Sequence, residues 1–336
     1  MSSTMRAMVL HHQGPVDGAP LRLEEIPVPL PGPHDVVVRV EACGICRTDL
    51  HVVEGDLPPA KMPIIPGHQI VGRAVRLGAE VASLKEGDRI GIAWLRETDG
   101  DCRYCVAGRE NLCEAARFTG YMDDGGYAEY AAVHEDFAYP IPEGLEPVHA
   151  APLLCAGIIG YRALRRSGLQ PGGRLGMYGF GASAHITAQV ALHWGCKLYV
   201  MTRGEGHRAL SREMGATWVG EAADTPPEKL DAAIIFAPAG ELVPRALEAL
   251  DRGGILALAG IHMSPTPSLN YERHLFYERE VRSVTANTRQ DGQELLQLAA
   301  QIPIRTHVET FDLDAANNAL ARLKHDEIQG AGVILV

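Results

Sequence analysis

Between positions 174 and 286 short apolar, β-branched runs alternate with helical patterns. Residues 174–178, 197–202, 232–236, 255–259 and 281–286 read as strands, and 186–193, 208–214 and 242–250 as helices. Strands that alternate with helices leave few solutions, and the expected one is a parallel sheet covered by helices. The first strand runs into Gly179-Phe180-Gly181-Ala182-Ser183-Ala184. Glycines at 179 and 181 with a small residue at 184 suit a tight turn, a close backbone approach to pyrophosphate, and a helix N-terminus facing phosphate charge. A plain strand-to-helix turn is the alternative, but the position within a repeated strand–helix pattern favours a dinucleotide site. The next strand ends at Thr202-Arg203-Gly204. An acidic residue about 20 positions past the glycines would take the ribose hydroxyls of NAD, and none stands there before Glu205. Arg203 could pair with the 2′-phosphate of NADP, the alternative being a solvated loop arginine. NADP is therefore expected over NAD.

The first 150 or so residues have another character. They are β-rich and punctuated by Pro and Gly, with strands expected at 6–10, 21–26, 35–42, 69–77 and 89–93. The change comes near Pro147, where 149–167 has helical periodicity. Amphipathic helices at 291–301 and 314–324 and an apolar strand at 332–336 close the chain, and their polarity does not say which domain they join. A chain of 336 residues, 46% hydrophobic, can bury a large core and is expected to form two domains. The net charge of −11, with no block of like charges, argues against nucleic acid or an anionic membrane as partner. No apolar run approaches the roughly 20 residues of a membrane span. The N-terminal Met1-Ser2-Ser3-Thr4-Met5-Arg6 lacks the apolar core of a signal peptide. A cytoplasmic, soluble protein is expected.

Chemistry concentrates just past the expected strand end, in Cys43-Gly44-Ile45-Cys46-Arg47-Thr48-Asp49-Leu50-His51. Two distant groups could complete a metal site with Cys46. They are His68, in Pro66-Gly67-His68-Gln69, and Cys155, in Pro152-Leu153-Leu154-Cys155. A Cys-His-Cys set leaves one tetrahedral position open, as catalytic zinc requires. Taken singly, His68 could be a structural histidine and Cys155 a packing thiol, while Cys43 and Cys196 read as core. The chain has seven cysteines, an odd number, and a reducing cytosol disfavours disulfides. Asp99, Cys102, Cys105 and Cys113 have the spacing of a closed structural zinc loop, with Asp99 as an oxygen ligand. Three thiols without metal are the alternative.

Assembled in this order, these stretches resemble the zinc-dependent alcohol dehydrogenases of the medium-chain dehydrogenase/reductase superfamily, over essentially the whole chain. The resemblance is to bacterial members of the cinnamyl-alcohol-dehydrogenase-like group. It implies an α/β protein with a GroES-like β-rich catalytic domain from 1–150 and 288–336, and a Rossmann domain inserted at 151–287. The active site would lie in the cleft between them. It also implies that Cys46, His68 and Cys155 hold catalytic zinc, a Lewis acid for the substrate oxygen. Hydride then passes reversibly between a primary alcohol or its aldehyde and NAD(P). Thr48 and His51 would carry the proton, His being a residue type that exchanges protons near neutrality. Asp49 would orient His68, Arg47 would reach cofactor phosphate, and Trp94 would wall an apolar pocket suited to aliphatic or aromatic alcohols. A homodimer or homotetramer is implied, with Rossmann sheets joined edge to edge near 256–263.

Three positions depart from the family pattern. Asp99 replaces a cysteine, Gln69 follows the ligand histidine where Glu is common, and Gly330-Ala331 stands where relatives often have Gly-Arg. Two other functions are weighed. A zinc-free quinone or enone reductase on the same fold is opposed by the Cys46–His68–Cys155 set. A non-enzymatic nucleotide-binding protein is opposed by that set together with Thr48 and His51.

Overall fold

The structure, a computed structural model, describes residues 3–336. Met1 and Ser2, the start of the segment read above for a signal peptide, lie outside the described residues. Two compact units form. The first contains the chain up to Cys155 together with Ala286–Val336, and the second is Ala156–Thr285. Among the described residues no helix is long and apolar enough to cross a membrane.

The core of the first unit is a seven-stranded sheet around the strand Asp35–Ile45. Val36, Val37, Val38 and Val40 are all buried, so this strand is covered on both faces, as its unbroken β-branched run requires. It pairs antiparallel with Gln69–Leu77 on one side. On the other side it pairs with the C-terminal strand Ala331–Leu335 and, further along, with Tyr130–His134. The strand is longer than the local sequence indicates. It was expected to stop at position 42, with Cys43-Gly44-Ile45 in a loop. Instead Cys43 pairs with Ile70 and Ile334, and Gly44 with Gln69 and Val333. Partners so remote in sequence extend the ladder over residues of poor strand propensity.

Where that strand ends a helix, Arg47–Glu54, begins at once. Cys46 is its extended N-cap: the Thr48 N–H donates to Cys46 Sγ at 3.3 Å, and the Cys46 N–H donates to Asp49 Oδ2 at 2.8 Å. The exchange satisfies helix donors that would otherwise be orphaned. Gly55, at φ 93°, ends the helix.

The expected single helix at 149–167 is broken. Pro147–Ala150 is helical, Ala151–Leu154 is a 3-10 turn, Cys155 leaves helical geometry at φ −133°, ψ −73°, and Ala156–Arg166 resumes the helix. Pro152 lacks the N–H an α-helix needs there, and a short 3-10 turn is tolerant of that. Cys155 thus sits at a break rather than within a helix.

The second unit is a six-stranded parallel sheet in the order Trp218–Gly220, Lys197–Met201, Arg174–Tyr178, Leu230–Ile235, Leu250–Leu258, Glu280–Ser283. The chain builds outward from Arg174–Tyr178 on one side, then returns to build on the other. That is the Rossmann order, and its switch point lies at the carboxyl end of Arg174–Tyr178.

Gly67, just before His68, has φ 97°, and a Cβ there would lie 2.5 Å from the Tyr127 ring and 2.9 Å from Cys43 Sγ. Gly67→Ala combines a left-handed backbone with overpacking and should cost about 2–4 kcal/mol. Denaturant unfolding reads this directly, and parent-like stability would mean the segment is looser than described.

Candidate functional site

The pairing of Gly44 with Gln69 sets the first candidate site. Cys46 lies two residues beyond Gly44, and His68 one residue before Gln69, so both emerge at the same end of the ladder. Cys155 arrives from the broken helix. Cys46 Sγ is 3.3 Å from His68 Nε2 and 3.9 Å from Cys155 Sγ, and the three donor atoms lie within 4.8 Å of one another. Tetrahedral zinc with ordinary bond lengths separates two sulfurs by roughly 3.8 Å and a sulfur from a nitrogen by roughly 3.5 Å. The donors therefore fit zinc in both kind and spacing. Three ligands would leave one position for a substrate oxygen.

The charges agree. The Cys46 thiol is held well below its ordinary range, first by the hydrogen bond from Cys155 and further by His68, against burial. Cys155 is pushed up by that same bond and by burial. Burial alone would lower the pKa of His68, but the Asp49 and Cys46 charges overcome it and raise it. A lowered Cys46 thiol suits metal ligation, and a dication bound by this set would displace the protons that remain on it.

Asp49 supports both of these donors. Its Oδ1 is 2.9 Å from His68 Nδ1, and its Oδ2 accepts the Cys46 N–H. With Nδ1–H given to Asp49, Nε2 is left to face the metal position. Thr48 and His51 are three residues apart on Arg47–Glu54 and share a face. His51 Nδ1 is 2.7 Å from Asp56 Oδ2. Arg47 pairs with Asp326 at 2.5 Å. Gln69 is buried, and its Nε2 has no hydrogen-bond partner among the described residues.

Trp94 meets the His68 ring edge-on, with centroids 5.2 Å apart, and stacks on Phe118 and Tyr121. Thr119 fixes this corner: its N–H donates to Trp94 O, and its hydroxyl to Ala93 O. Phe118, Tyr121 and Tyr127 were not anticipated. They come from the segment 118–127, the first from the short strand Arg117–Phe118, and nothing in their local sequence marks them.

The second donor group is Asp99, Cys102, Cys105 and Cys113, also within 4.8 Å of one another. Asp99 Oδ1 accepts the N–H groups of Asp101 and Cys102. The Cys102 amide, with the neighbouring thiols, holds the Asp99 carboxyl well below its usual range, so it stays an anionic oxygen donor. Burial pushes the Cys105 thiol up to about 12. Three thiols and a carboxylate form a closed tetrahedral set without an open position.

In the second unit Gly179 has φ 91°, and a Cβ on it would lie 3.1 Å from the Ala237 nitrogen. Only glycine takes that turn without strain. Gly181 caps the helix Ala182–His193, which starts earlier than expected, so that Ala182, Ser183 and Ala184 form its first turn. A Cβ on Gly181 would meet nothing within 4 Å, and Ala184 is buried. The backbone at 181 is open for a phosphate, and the small residue is where helix meets sheet. Thr202 is buried at the end of Lys197–Met201, and the Arg203 side chain is 82% exposed. Glu205 is paired with Arg208 and Arg212, so its carboxylate is engaged within its own helix.

An alcohol dehydrogenase GroES-like domain model matches residues 32–143, and a zinc-binding dehydrogenase model matches 184–301. A probable alcohol dehydrogenase, AdhA, of Mycobacterium tuberculosis (strain CDC 1551 / Oshkosh) is 52% identical over 100% of this chain and 98% of its own length. Among solved structures, a cinnamyl alcohol dehydrogenase from Sorghum bicolor superposes with a TM-score of 0.88 at 28% identity, covering 98% of this chain and 97% of that one. A putative zinc-binding dehydrogenase from Sinorhizobium meliloti 1021 bound to NADP gives 0.87 at 27% identity, with both chains fully covered.

The two donor groups should hold two zinc ions per chain, read by metal analysis. Carboxylate binds zinc less firmly than thiolate, so brief chelation should strip the Asp99 loop first. Asp99→Cys should slow that loss; one zinc per untreated chain would count against the second site.

Proposed function

Because the chain belongs to the zinc-binding alcohol dehydrogenases of the medium-chain dehydrogenase/reductase superfamily, we propose that it interconverts primary alcohols, aliphatic or aromatic, and their aldehydes with NADP as hydride carrier. The observation that carries this reading is the convergence of Cys46, His68 and Cys155 at zinc spacing, on a helix cap whose next residues are Thr48, Asp49 and His51.

In this reading Cys46, His68 and Cys155 hold the catalytic zinc, and Asp99, Cys102, Cys105 and Cys113 a structural one. The unit up to Cys155, with Ala286–Val336, is the catalytic domain, and Ala156–Thr285 carries the dinucleotide. Zinc supplies a Lewis acid for the substrate oxygen, and the nicotinamide supplies the hydride acceptor. The chain's own residues do the rest. Asp49 keeps the proton of His68 on Nδ1. Thr48 Oγ1 takes the proton leaving the alcohol and passes its own onward. His51 Nδ1 is engaged by Asp56, so Nε2 is the nitrogen that receives it and releases it to water. Trp94, with Phe118 and Tyr121 stacked behind it, gives the oxygen-binding position an apolar wall. A flat apolar alcohol suits that wall better than a polyol, and the likeness to a cinnamyl alcohol dehydrogenase agrees.

Gly179, Gly181, Ala182, Ser183 and Ala184 receive the pyrophosphate at the start of Ala182–His193, and Thr202 lies at the ribose side. Exposed Arg203 takes the 2′-phosphate of NADP. Support comes from the engagement of Glu205 elsewhere and from the NADP-bound relative. Arg47 is the other cation offered to cofactor phosphate; it pairs with Asp326, as Arg203 lies 3.8 Å from Glu241. The seven cysteines, all free, suit a reducing cytoplasm. The protein works as a homodimer or homotetramer: Glu280–Ser283 is an edge strand of the second sheet, and its Val281 is 39% exposed.

Thr48→Val should lower kcat by about 100-fold or more while zinc content stays at the parent level; near-parent kcat would remove Thr48 from the relay. The ratio of kcat/KM for NADP over NAD should be at least about tenfold and should fall in Arg203→Ala, and a parent that prefers NAD would reverse the cofactor assignment. Light scattering should give a multiple of the chain mass, and a monomer would end the oligomer proposal.

A further inference from the structure

Tyr127 is buried at 0% exposure, and among the described residues no group meets its hydroxyl in full hydrogen-bonding geometry. A buried phenol ordinarily finds a partner, because an unmet hydroxyl costs about 1–3 kcal/mol. The rest of the residue is firmly held. Its N–H donates to Pro66 O at 3.0 Å, and its carbonyl accepts the Met8 N–H at 2.8 Å. Gly125 N–H donates to Ile65 O and Gly126 N–H to Gly67 O, and Asp124 Oδ1 accepts the Ile65 N–H. The run 124–127 is thus laced to 65–67, the three residues that deliver His68. The Tyr127 ring covers Gly67 so closely that a Cβ there would fall 2.5 Å from Cδ1 and 2.8 Å from Cε1.

The surroundings show what the hydroxyl is for. Burial first, then the charges of Asp49, Cys43 and Cys46, and last a hydrogen-bonding approach to the Asp49 side chain that falls short of full geometry, push the phenol pKa well above its ordinary value, so Tyr127 remains a neutral donor. Asp49 is 2% exposed, and each of its oxygens already meets one donor, His68 Nδ1 and Cys46 N–H. A carboxylate offers about four lone-pair sites, so it has room for a third donor, and Tyr127 is the buried donor without an acceptor beside it.

We propose that Tyr127 is a positioning residue of the metal site, its hydroxyl donating to Asp49 in the metal-loaded protein and so fixing the carboxylate that orients His68. The inference rests on the reading that Cys46, His68 and Cys155 hold zinc. Its effect passes through Asp49 and His68, and Tyr127 touches neither substrate nor cofactor.

The test uses full-length, zinc-loaded protein and its cobalt-substituted form, with Cys46→Ala as the blank for metal at this site. Parent protein is measured first: no metal there, and no alcohol oxidation, would sink the functional reading itself. With metal present in the parent, Tyr127→Phe should fold, since it keeps the packed ring and removes one hydroxyl only. It should lose zinc from this site to a chelator about tenfold faster and shift the cobalt absorption bands. In an Asp49→Asn background the same change should have no further effect, the mark of two residues acting on one another. Parent-like zinc loss with an unmoved cobalt spectrum would overturn the proposal, as would an undiminished effect in the Asp49→Asn background. Should Tyr127→Phe fail to fold, the Cζ carbon of labelled Tyr127, compared by NMR between the parent and Asp49→Asn, decides it: a shift is expected, and an unmoved signal overturns the proposal.

Discussion

The ladder between Asp35–Ile45 and Gln69–Leu77 is the constraint on which the first unit's chemistry depends. Its register sets Gly44 opposite Gln69, and a Cβ on Gly44 would lie 2.9 Å from the Gln69 side chain. A slip of one residue would turn every side chain of one strand to the other face and would drive Cys46 and His68 apart. The C-terminal strand closes the other edge, pairing Val333 with Gly44 and Ile334 with Cys43. The last residues of the chain therefore hold the strand end from which the helix Arg47–Glu54 departs.

That departure does two things at once. Cys46 caps the helix with its sulfur and also points the same sulfur at His68 and Cys155. Asp49 returns the cap through one oxygen and meets His68 with the other. The helix start and the donor cluster are one hydrogen-bonded unit, buried enough that the charges on it interact strongly. The donors are consequently preset near zinc geometry, with little ordering left for the metal to impose.

The second unit solves a simpler problem. Gly179 must turn with positive φ beside Ala237, and Gly181 must leave the backbone bare at the start of Ala182–His193. Both demands are local, met by residue types within six positions, at the point where the sheet order reverses.

That contrast marks what the sequence alone determined. The parallel sheet, the glycine turn and the metal-type spacing of Cys102, Cys105 and Cys113 were legible because each is encoded in consecutive residues. The types of the clustered donors were legible too, since Cys46, His68 and Cys155 are chemically conspicuous. Their assembly was not. The extension of the strand through Cys43 to Ile45 depends on partners at 69–70 and 332–334. The break that frees Cys155 overrides an amphipathic pattern through Pro152. The partner of Arg47 is Asp326, almost the length of the chain away. The aromatic stack on Trp94 and the clamp of 124–127 on Gly67 join segments with no shared periodicity. Periodicity and turn chemistry report what a residue does with its near neighbours, and only tertiary packing decides which distant backbone will complete a ladder, bend a helix or bury a phenol beside a carboxylate.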